Sequence, residues 1–162
     1  MIAWTLRAFG KPAPKGSWDI VPCGRPVVVG GAKHYRVRDM RLRQQEPESV
    51  AHWKHALEIA VLEGGRPRAP HEGPITIEVT FYVHRPKQPK HPTAPITAPD
   101  LDKLQRQIGD VLEGVYYHND SQITSWVVGK CFAEAEYPEG AAITIRVIED
   151  EKKELTLAFD PL

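Results

Sequence analysis

Three aspartates between residues 100 and 120 have the type and spacing of a divalent-metal site. Asp100 and Asp102 lie two residues apart directly after Pro99, which favours extended backbone, so both side chains would point to the same side. Asp120 follows a predicted helix and a short return that could bring it back toward this pair. Mg²⁺ is held in proteins by one or two carboxylates together with water and phosphate oxygens. The pattern therefore indicates a Mg²⁺ site, at which Mn²⁺ could substitute.

Two basic residues accompany these carboxylates. Arg106 lies four residues beyond Asp102 on the same predicted helical face, where it could neutralise a metal-bound phosphate, and Lys103 is the next candidate. A structural interpretation of the same residues stays open. Asp102 and Gln105 match a capping box, and Asp102 and Arg106 match an i,i+4 ion pair. The segment Asn119-Asp120-Ser121 also matches a turn.

Apolar periodicity predicts the elements that position these residues. The strictest pattern, from Ile75 to Val83, alternates apolar and polar residues and predicts a strand. A stripe of apolar residues from Leu101 to Leu112 predicts a helix over about 103–113, with Asp102 as its cap. A hairpin is predicted around Gly30-Gly31. The other expected elements are strands at 2–9, 27–29, 35–37, about 123–132 and about 141–149, and a helix at 47–63.

The predicted fold class is α/β of the α+β type, a small mixed β-sheet with two main helices. Residues 1–162 are expected to form a single domain with a charged tail from about 149 to 162. A composition of 41% hydrophobic and 26% charged residues is typical of globular proteins and excludes fibrous and disordered classes. We expect a cytoplasmic protein, because the N-terminus has no signal-peptide pattern and no run of about 18 apolar residues occurs.

The formal net charge of zero conceals a strong asymmetry along the chain. Residues 1–99 carry 15 Lys+Arg against 8 Asp+Glu, whereas residues 100–162 carry 6 against 13. Such a division is typical of a polyanion-binding surface beside an acidic site, although two halves that interleave their charges would give the same counts. Neutrality alone therefore does not exclude a nucleic-acid partner.

The aspartate region resembles the RusA family of Holliday junction resolvases, small metal-dependent endonucleases of bacteria and their prophages. The family pattern is Asp-x-Asp-Asn-Leu-x-Lys-x-x-x-Asp-x-Leu, followed after a short gap by Asp-Asp-x-Gln-Ile/Val. The matching segments here are residues 100–106, Asp110-Val111-Leu112 and residues 119–123. Upstream, residues 10–15 are similar to the family's Gly-x-Pro-x-Pro-Lys segment.

The resemblance implies that Asp100, Asp102 and Asp120 are the catalytic, metal-binding carboxylates. It places Arg106 where the family often has an essential lysine; an arginine can clamp phosphate but does not act as a proton donor near neutral pH. Lys103 stands where the family has Asn, and Asn119 stands in place of the first Asp of the Asp-Asp pair. The resemblance also implies a homodimer.

The implied function is Mg²⁺-dependent cleavage of four-way (Holliday) DNA junctions by paired symmetric nicks, in DNA recombination and repair, in a bacterial or phage-infected cell. Two alternatives stay open: a metal nuclease that acts on flap or single-stranded DNA, and a branched-DNA-binding module without catalysis. The residues expected to contact DNA phosphates are all basic: Lys11, Lys15, Arg36, Arg38, Arg85, Lys87 and Lys103.

Overall fold

A computed structural model describes residues 2–14, 18–34, 36, 40–44 and 48–149. Two α-helices, one turn of 3₁₀ helix (Asp120–Gln122) and three groups of paired strands occur in these ranges. The expected charged tail lies outside the described residues from position 150 onward. The elements are β1 (Ala3–Phe9), β2 (Trp18–Pro22), β3 (Val27–Val29), β4 (Ala32–His34), β5 (Met40–Gln44), α1 (Glu48–Glu63), β6 (Ile75–Val83), α2 (Leu101–Leu112), β7 (Ile123–Phe132) and β8 (Gly140–Val147).

The main sheet has four strands in the order β1-β8-β6-β7. β8 pairs antiparallel with β1 and β6, whereas β6 and β7 run parallel, so the sheet is mixed. The alternation in β6 places every second side chain in the core, because successive residues of a strand point to opposite faces. Ile75, Ile77 and Phe81 are completely buried on this face.

Both helices contribute their apolar stripes to the core that covers one face of the sheet. α1 buries Trp53 and Leu57 and packs on β1, while α2 buries Leu104 and Ile108 and packs on β7 and on α1. The apolar residues of α2 recur every three or four positions, which leaves its opposite side polar. The predicted α+β class, a mixed sheet with two main helices, is confirmed.

The parallel pairing of β6 and β7 determines where α2 must lie. Antiparallel strands can be joined by a tight hairpin, but parallel neighbours need a long crossover connection, usually a helix. Here residues 84–122 make that connection and contain α2. The crossover therefore returns the chain to the start of β7 immediately after Asp120.

Several element boundaries differ from the sequence prediction. α2 begins at Leu101, because that side chain already packs against the core, so Asp100 and not Asp102 is the N-cap residue. β4 pairs with β3 as an arm of the predicted hairpin. Residues 35 and 37 of the strand expected at 35–37 lie outside the described residues. The pair β2 and β5 was not predicted, and the N-terminal Pro47 expected for α1 is outside the described ranges.

The described helices do not include a membrane span. Neither α1 nor α2 combines the length and the apolar character that crossing a bilayer requires.

The first prediction concerns Gly140, which faces Phe9 across the β1–β8 pair. Its φ of 156° is unfavourable for other residues, and an added Cβ would collide with the carbonyl oxygen of Ala8. We expect Gly140→Ala to lower the free energy of unfolding by roughly 2–3 kcal/mol. The matched control is Gly129→Ala in β7, where a Cβ meets no atom within 4 Å and little stability should change. Urea denaturation checks both variants, and equal midpoints would contradict this account of the β1–β8 contact.

Candidate active site

A pocket of about 320 Å³ lies between the polar side of α2 and the start of β7. Its helical residues follow the spacing i, i+3, i+4, i+7 and i+8, which is one face of an α-helix. Acidic, basic and aromatic side chains therefore share one concave surface. The lining residues are Asp102, Gln105, Arg106, Gly109, Asp110, Asp120, Ile123 and Trp126.

Asp120 approaches α2 at Gly109. A Cβ built on Gly109 would lie 3.7 Å from Oδ1 of Asp120 and 3.9 Å from the hydroxyl of Tyr117, so a side chain larger than alanine would displace both groups. Glycine is unfavourable in a helix interior, and this close approach is a physical reason for its presence. The helix and the Asp120 segment can thus form two walls of one pocket.

Asp120 itself begins a single turn of 3₁₀ helix with a reciprocal cap. The side chain of Asn119 accepts a hydrogen bond from the backbone N–H of Ser121 (2.9 Å), and Oε1 of Gln122 accepts one from the backbone N–H of Asn119 (3.0 Å). The turn interpretation of this segment is therefore confirmed. Asn119 serves as its cap, which an asparagine does as well as an aspartate.

Gln122 ties this turn to the chain that precedes β6. Its Nε2 donates to the carbonyl oxygens of His71 (2.8 Å) and Gly73 (3.0 Å), and its Oε1 also accepts from the backbone N–H of His118 (2.8 Å). One amide side chain thus satisfies four backbone groups in two segments. This network fixes the position from which Asp120 projects.

Tyr117 lies behind the Asp120 carboxylate and is completely buried. Its hydroxyl is 3.2 Å from Oδ1 of Asp120 and 3.1 Å from the carbonyl oxygen of Gly109. Burial, and secondarily the negative charge of Asp120, raise the pKa of Tyr117 far above its usual range. The hydroxyl therefore keeps its proton near neutral pH and remains a hydrogen-bond donor.

Asp100 lies apart from this pocket lining. Asp100 is the N-cap of α2 and has an extended backbone, but Leu101 and Asp102 are already helical, so the continuous extended geometry expected for residues 100–102 does not occur. The Asp100 carboxylate forms an exposed ion pair with Nζ of Lys103 at 3.1 Å. The backbone before it is held by Lys130, whose Nζ donates to the carbonyl oxygens of Thr97 (2.7 Å) and Pro99 (2.9 Å).

Of the predicted site residues, the structure brings together Asp102, Asp120 and Arg106. Asp102 and Arg106 do not form the ion pair that their spacing permits, and neither has another polar partner within the described ranges. Within the same ranges, no three His, Cys, Asp or Glu side chains stand close enough together to form a ready-made metal cage. The open arrangement fits Mg²⁺, which keeps several waters and takes substrate phosphate oxygens as ligands.

Sequence reasoning did not select Asp110, Tyr117, Gln122 and Trp126 as site residues. Asp110 lies eight residues after Asp102, and this spacing on one helical face was a usable signal. Gln122 stands in the motif that carried the family resemblance. Tyr117 and Trp126 gave no signal, because an aromatic residue beside an apolar segment is ordinarily part of the core.

The predicted DNA-contacting residues occupy different environments. Lys11 is exposed and lines a second cavity of about 240 Å³ that extends to Pro99, just before Asp100. The guanidinium of Arg85 is already engaged, since its Nη2 donates to the carbonyl oxygen of Pro92 (2.7 Å) and it packs over the ring of Phe132. Arg36 and Lys87 are exposed, whereas Lys15 and Arg38 lie outside the described residues.

Comparison with known proteins places this chain in a class of DNA endonucleases. A family model described as Endodeoxyribonuclease RusA matches residues 24–147, well over half of the chain and a range that contains the whole pocket. The chain therefore belongs to the RusA family of Holliday junction resolvases. It is also similar to the uncharacterized protein YqaN of Bacillus subtilis (strain 168), with 25% identity over 122 residues, 68% of this chain and 84% of that protein.

The second prediction tests the anchoring of the Asp120 turn. Gln122→Met keeps the length of the side chain but removes all four hydrogen bonds, so we expect the free energy of unfolding to fall by about 2–3 kcal/mol. Amide hydrogen exchange at residues 118–122 should accelerate with it. The matched control is Ser121→Ala, because this exposed hydroxyl makes no hydrogen bond in the described part of the chain. Equal stability and equal exchange in the two variants would contradict the anchoring role.

Proposed function

We propose that this protein is a Mg²⁺-dependent endodeoxyribonuclease that resolves four-way DNA junctions by paired symmetric nicks. The observation that carries the proposal is the pocket on α2, where Arg106 and the carboxylates of Asp102 and Asp120 face one another without an ion pair between Asp102 and Arg106. Carboxylates and a guanidinium that are not paired with each other can bind a ligand that carries both a positive and a negative group. A phosphodiester with its cation is such a ligand.

Asp102 and Asp120 are the residues that would hold Mg²⁺. Asp110 lies on the same wall of the pocket as Asp102, that of α2. Asp100 is the third ligand that the family motif implies. It is restrained only by its exposed ion pair with Lys103, which contributes about 1 kcal/mol or less, so little opposes its turning toward a shared cation. When bound, the cation polarises the phosphoryl group and lowers the pKa of a coordinated water. Without a cation, the carboxylates would repel the DNA backbone.

Arg106 would bind the nonbridging oxygens of the scissile phosphate. Its planar guanidinium offers parallel N–H donors that match two phosphate oxygens, and it stabilises the charge that grows on them in the transition state. An arginine does not serve as a proton donor near neutral pH, so the 3′-oxygen that leaves would take its proton from water. The products are a 5′-phosphate and a 3′-hydroxyl at each nick.

Paired nicking needs two active sites in a symmetric arrangement, for which a homodimer is the simplest assembly. A four-way junction is itself close to two-fold symmetric, so each protomer would cut one of two equivalent strands. Lys11, Arg36 and Lys87 are exposed cations in the basic first half of the chain and would contact the phosphates of the junction arms. The excess of basic residues in 1–99 is consistent with DNA contacts in that part of the chain, and the excess of acidic residues in 100–162 is consistent with a cation site there.

The third prediction tests the substrate and the metal. Purified protein is incubated with end-labelled four-way junction, flap, single-stranded and duplex DNA, in Mg²⁺ or in EDTA. We expect symmetric nicks in the junction alone, and their loss in EDTA. Preferential cutting of flap or single-stranded DNA would replace the proposed substrate. Tight junction binding without cleavage in either Mg²⁺ or Mn²⁺ would contradict the enzymatic proposal.

The fourth prediction tests the pocket. Asp102→Asn removes one negative charge at nearly constant shape, so cleavage should fall about 100-fold or more while junction binding is kept or strengthened, because less charge opposes phosphate. Single-turnover cleavage and a gel-shift titration measure the two effects. The control is Glu63→Gln at the exposed end of α1, which should leave both unchanged. Normal cleavage by Asp102→Asn would mean that the site is misplaced.

A further inference from the structure

The Asp120 carboxylate is held on one side only. Its Oδ1 lies 3.2 Å from the hydroxyl of Tyr117, while Oδ2 makes no hydrogen bond or ion pair within the part of the chain that the structure describes. The two oxygens of this pocket-lining residue therefore have different environments: Oδ1 is held by Tyr117, and Oδ2 has no partner among the described residues. This asymmetry raises the question of what determines the orientation of the carboxylate.

The hydroxyl of Tyr117 has one proton and two neighbouring acceptors, Oδ1 of Asp120 and the carbonyl oxygen of Gly109. The Gly109 carbonyl is already satisfied, because it accepts a helical hydrogen bond from the backbone N–H of Glu113 at 3.0 Å. Hydrogen bonds to an ionised acceptor are stronger than those to a neutral one. The Tyr117 hydroxyl therefore donates mainly to Oδ1 of Asp120, and the carbonyl oxygen of Gly109 is the weaker of its two acceptors.

We propose that Tyr117 is a positioning residue whose hydroxyl holds Oδ1 of Asp120 and so presents Oδ2 to a divalent cation in the pocket. This inference rests on the proposed function for the identity of the site, and adds the group that orients one of its ligands. Partners that hydrogen-bond to a metal ligand fix its direction, and their loss typically weakens metal affinity or activity 10–100-fold. Tyr117 contributes through Asp120 and needs no contact with DNA or with the cation.

The surroundings of Tyr117 make such control effective. The ring is completely buried, so the hydroxyl cannot move away from Asp120 without disturbing the core. The capped turn at 120–122 fixes the backbone of Asp120 independently. With backbone and Oδ1 both held, the remaining freedom of the carboxylate is small, and its free oxygen is pre-organised.

The experiment compares Tyr117→Phe with Tyr116→Phe. Both tyrosines are completely buried and adjacent, but the hydroxyl of Tyr116 has no hydrogen-bond partner in the described ranges. Binding of Mn²⁺ to the DNA-free protein is measured by calorimetry, and junction nicking is measured as a function of Mg²⁺ concentration. Thermal melts verify that both variants are folded; we expect Tyr117→Phe to melt about 2–4 °C lower than the unmodified protein.

We expect Tyr117→Phe to weaken Mn²⁺ binding about ten-fold and to raise the Mg²⁺ concentration for half-maximal nicking by a similar factor. The rate at saturating Mg²⁺ should stay within about three-fold, because the ligand itself is intact. Tyr116→Phe should change neither quantity. Unchanged Mn²⁺ affinity in Tyr117→Phe, or an equal loss in both variants, would overturn the positioning role, since the latter result reports packing alone.

The failure of this inference differs from the failure of the proposed function. If the unmodified protein binds Mn²⁺ in a Tyr117-dependent manner but cuts no junction, the positioning role stands and the proposed substrate is wrong. If it cuts junctions and Tyr117→Phe keeps the same metal dependence, the function stands and the positioning role is wrong. If the unmodified protein binds no Mn²⁺ at millimolar concentration, Asp120 has no cation to receive and the inference is overturned.

Discussion

The parallel pairing of β6 with β7 is the constraint on which the candidate site depends. Because a hairpin cannot join parallel neighbours, the chain must leave the end of β6, cross the sheet in α2 and return to the start of β7. The start of β7 is therefore close to the later turns of α2, and Asp120 immediately precedes it. An antiparallel β7 would begin at the other end of β6 and would carry Asp120 away from Gly109.

Around this crossover, hydrogen bonds from a few side chains position the charged groups of the site. Gln122 and Tyr117 together use amide and hydroxyl groups to fix the segment that carries Asp120, and Lys130 fixes the backbone that enters α2. None of these contacts neutralises Asp102 or Arg106. Carboxylates that line one pocket favour a cation, because a cation between them would offset their like charges. A site that cleaves phosphodiesters benefits from groups held in place before the substrate binds, and from charged groups that are not already paired with each other.

The sequence patterns predicted the parts of the fold where burial follows a regular period. The alternation from Ile75 to Val83 and the stripe from Leu104 to Leu112 could be recognised because each period belongs to one kind of element. β2 and β5 were missed, although Met40 and Leu42 of β5 alternate with Arg41 and Arg43, a period that was a usable signal for a strand. The relation of Asp100 to Asp102 was misjudged because α2 begins at Leu101, two residues earlier than expected: Asp100 is extended, whereas Leu101 is already helical and packs against the core. The role of Gln122 depends on contacts with residues 71–73, about 50 positions away, which no local pattern indicates.

The central claim is that Asp102 and Asp120, which lie on two separate segments of one crossover, form a single cation site that receives a DNA phosphate beside Arg106. The most direct measurement is a crystal structure of the protein with a four-way junction and Mn²⁺, in which anomalous scattering locates the ion. The account predicts a Mn²⁺ peak bonded to carboxylate oxygens of both aspartates, with a phosphate oxygen completing the contact and the guanidinium of Arg106 on the same phosphate. A Mn²⁺ ion bound by neither aspartate, or a phosphate backbone that passes the pocket without entering it, would contradict the account.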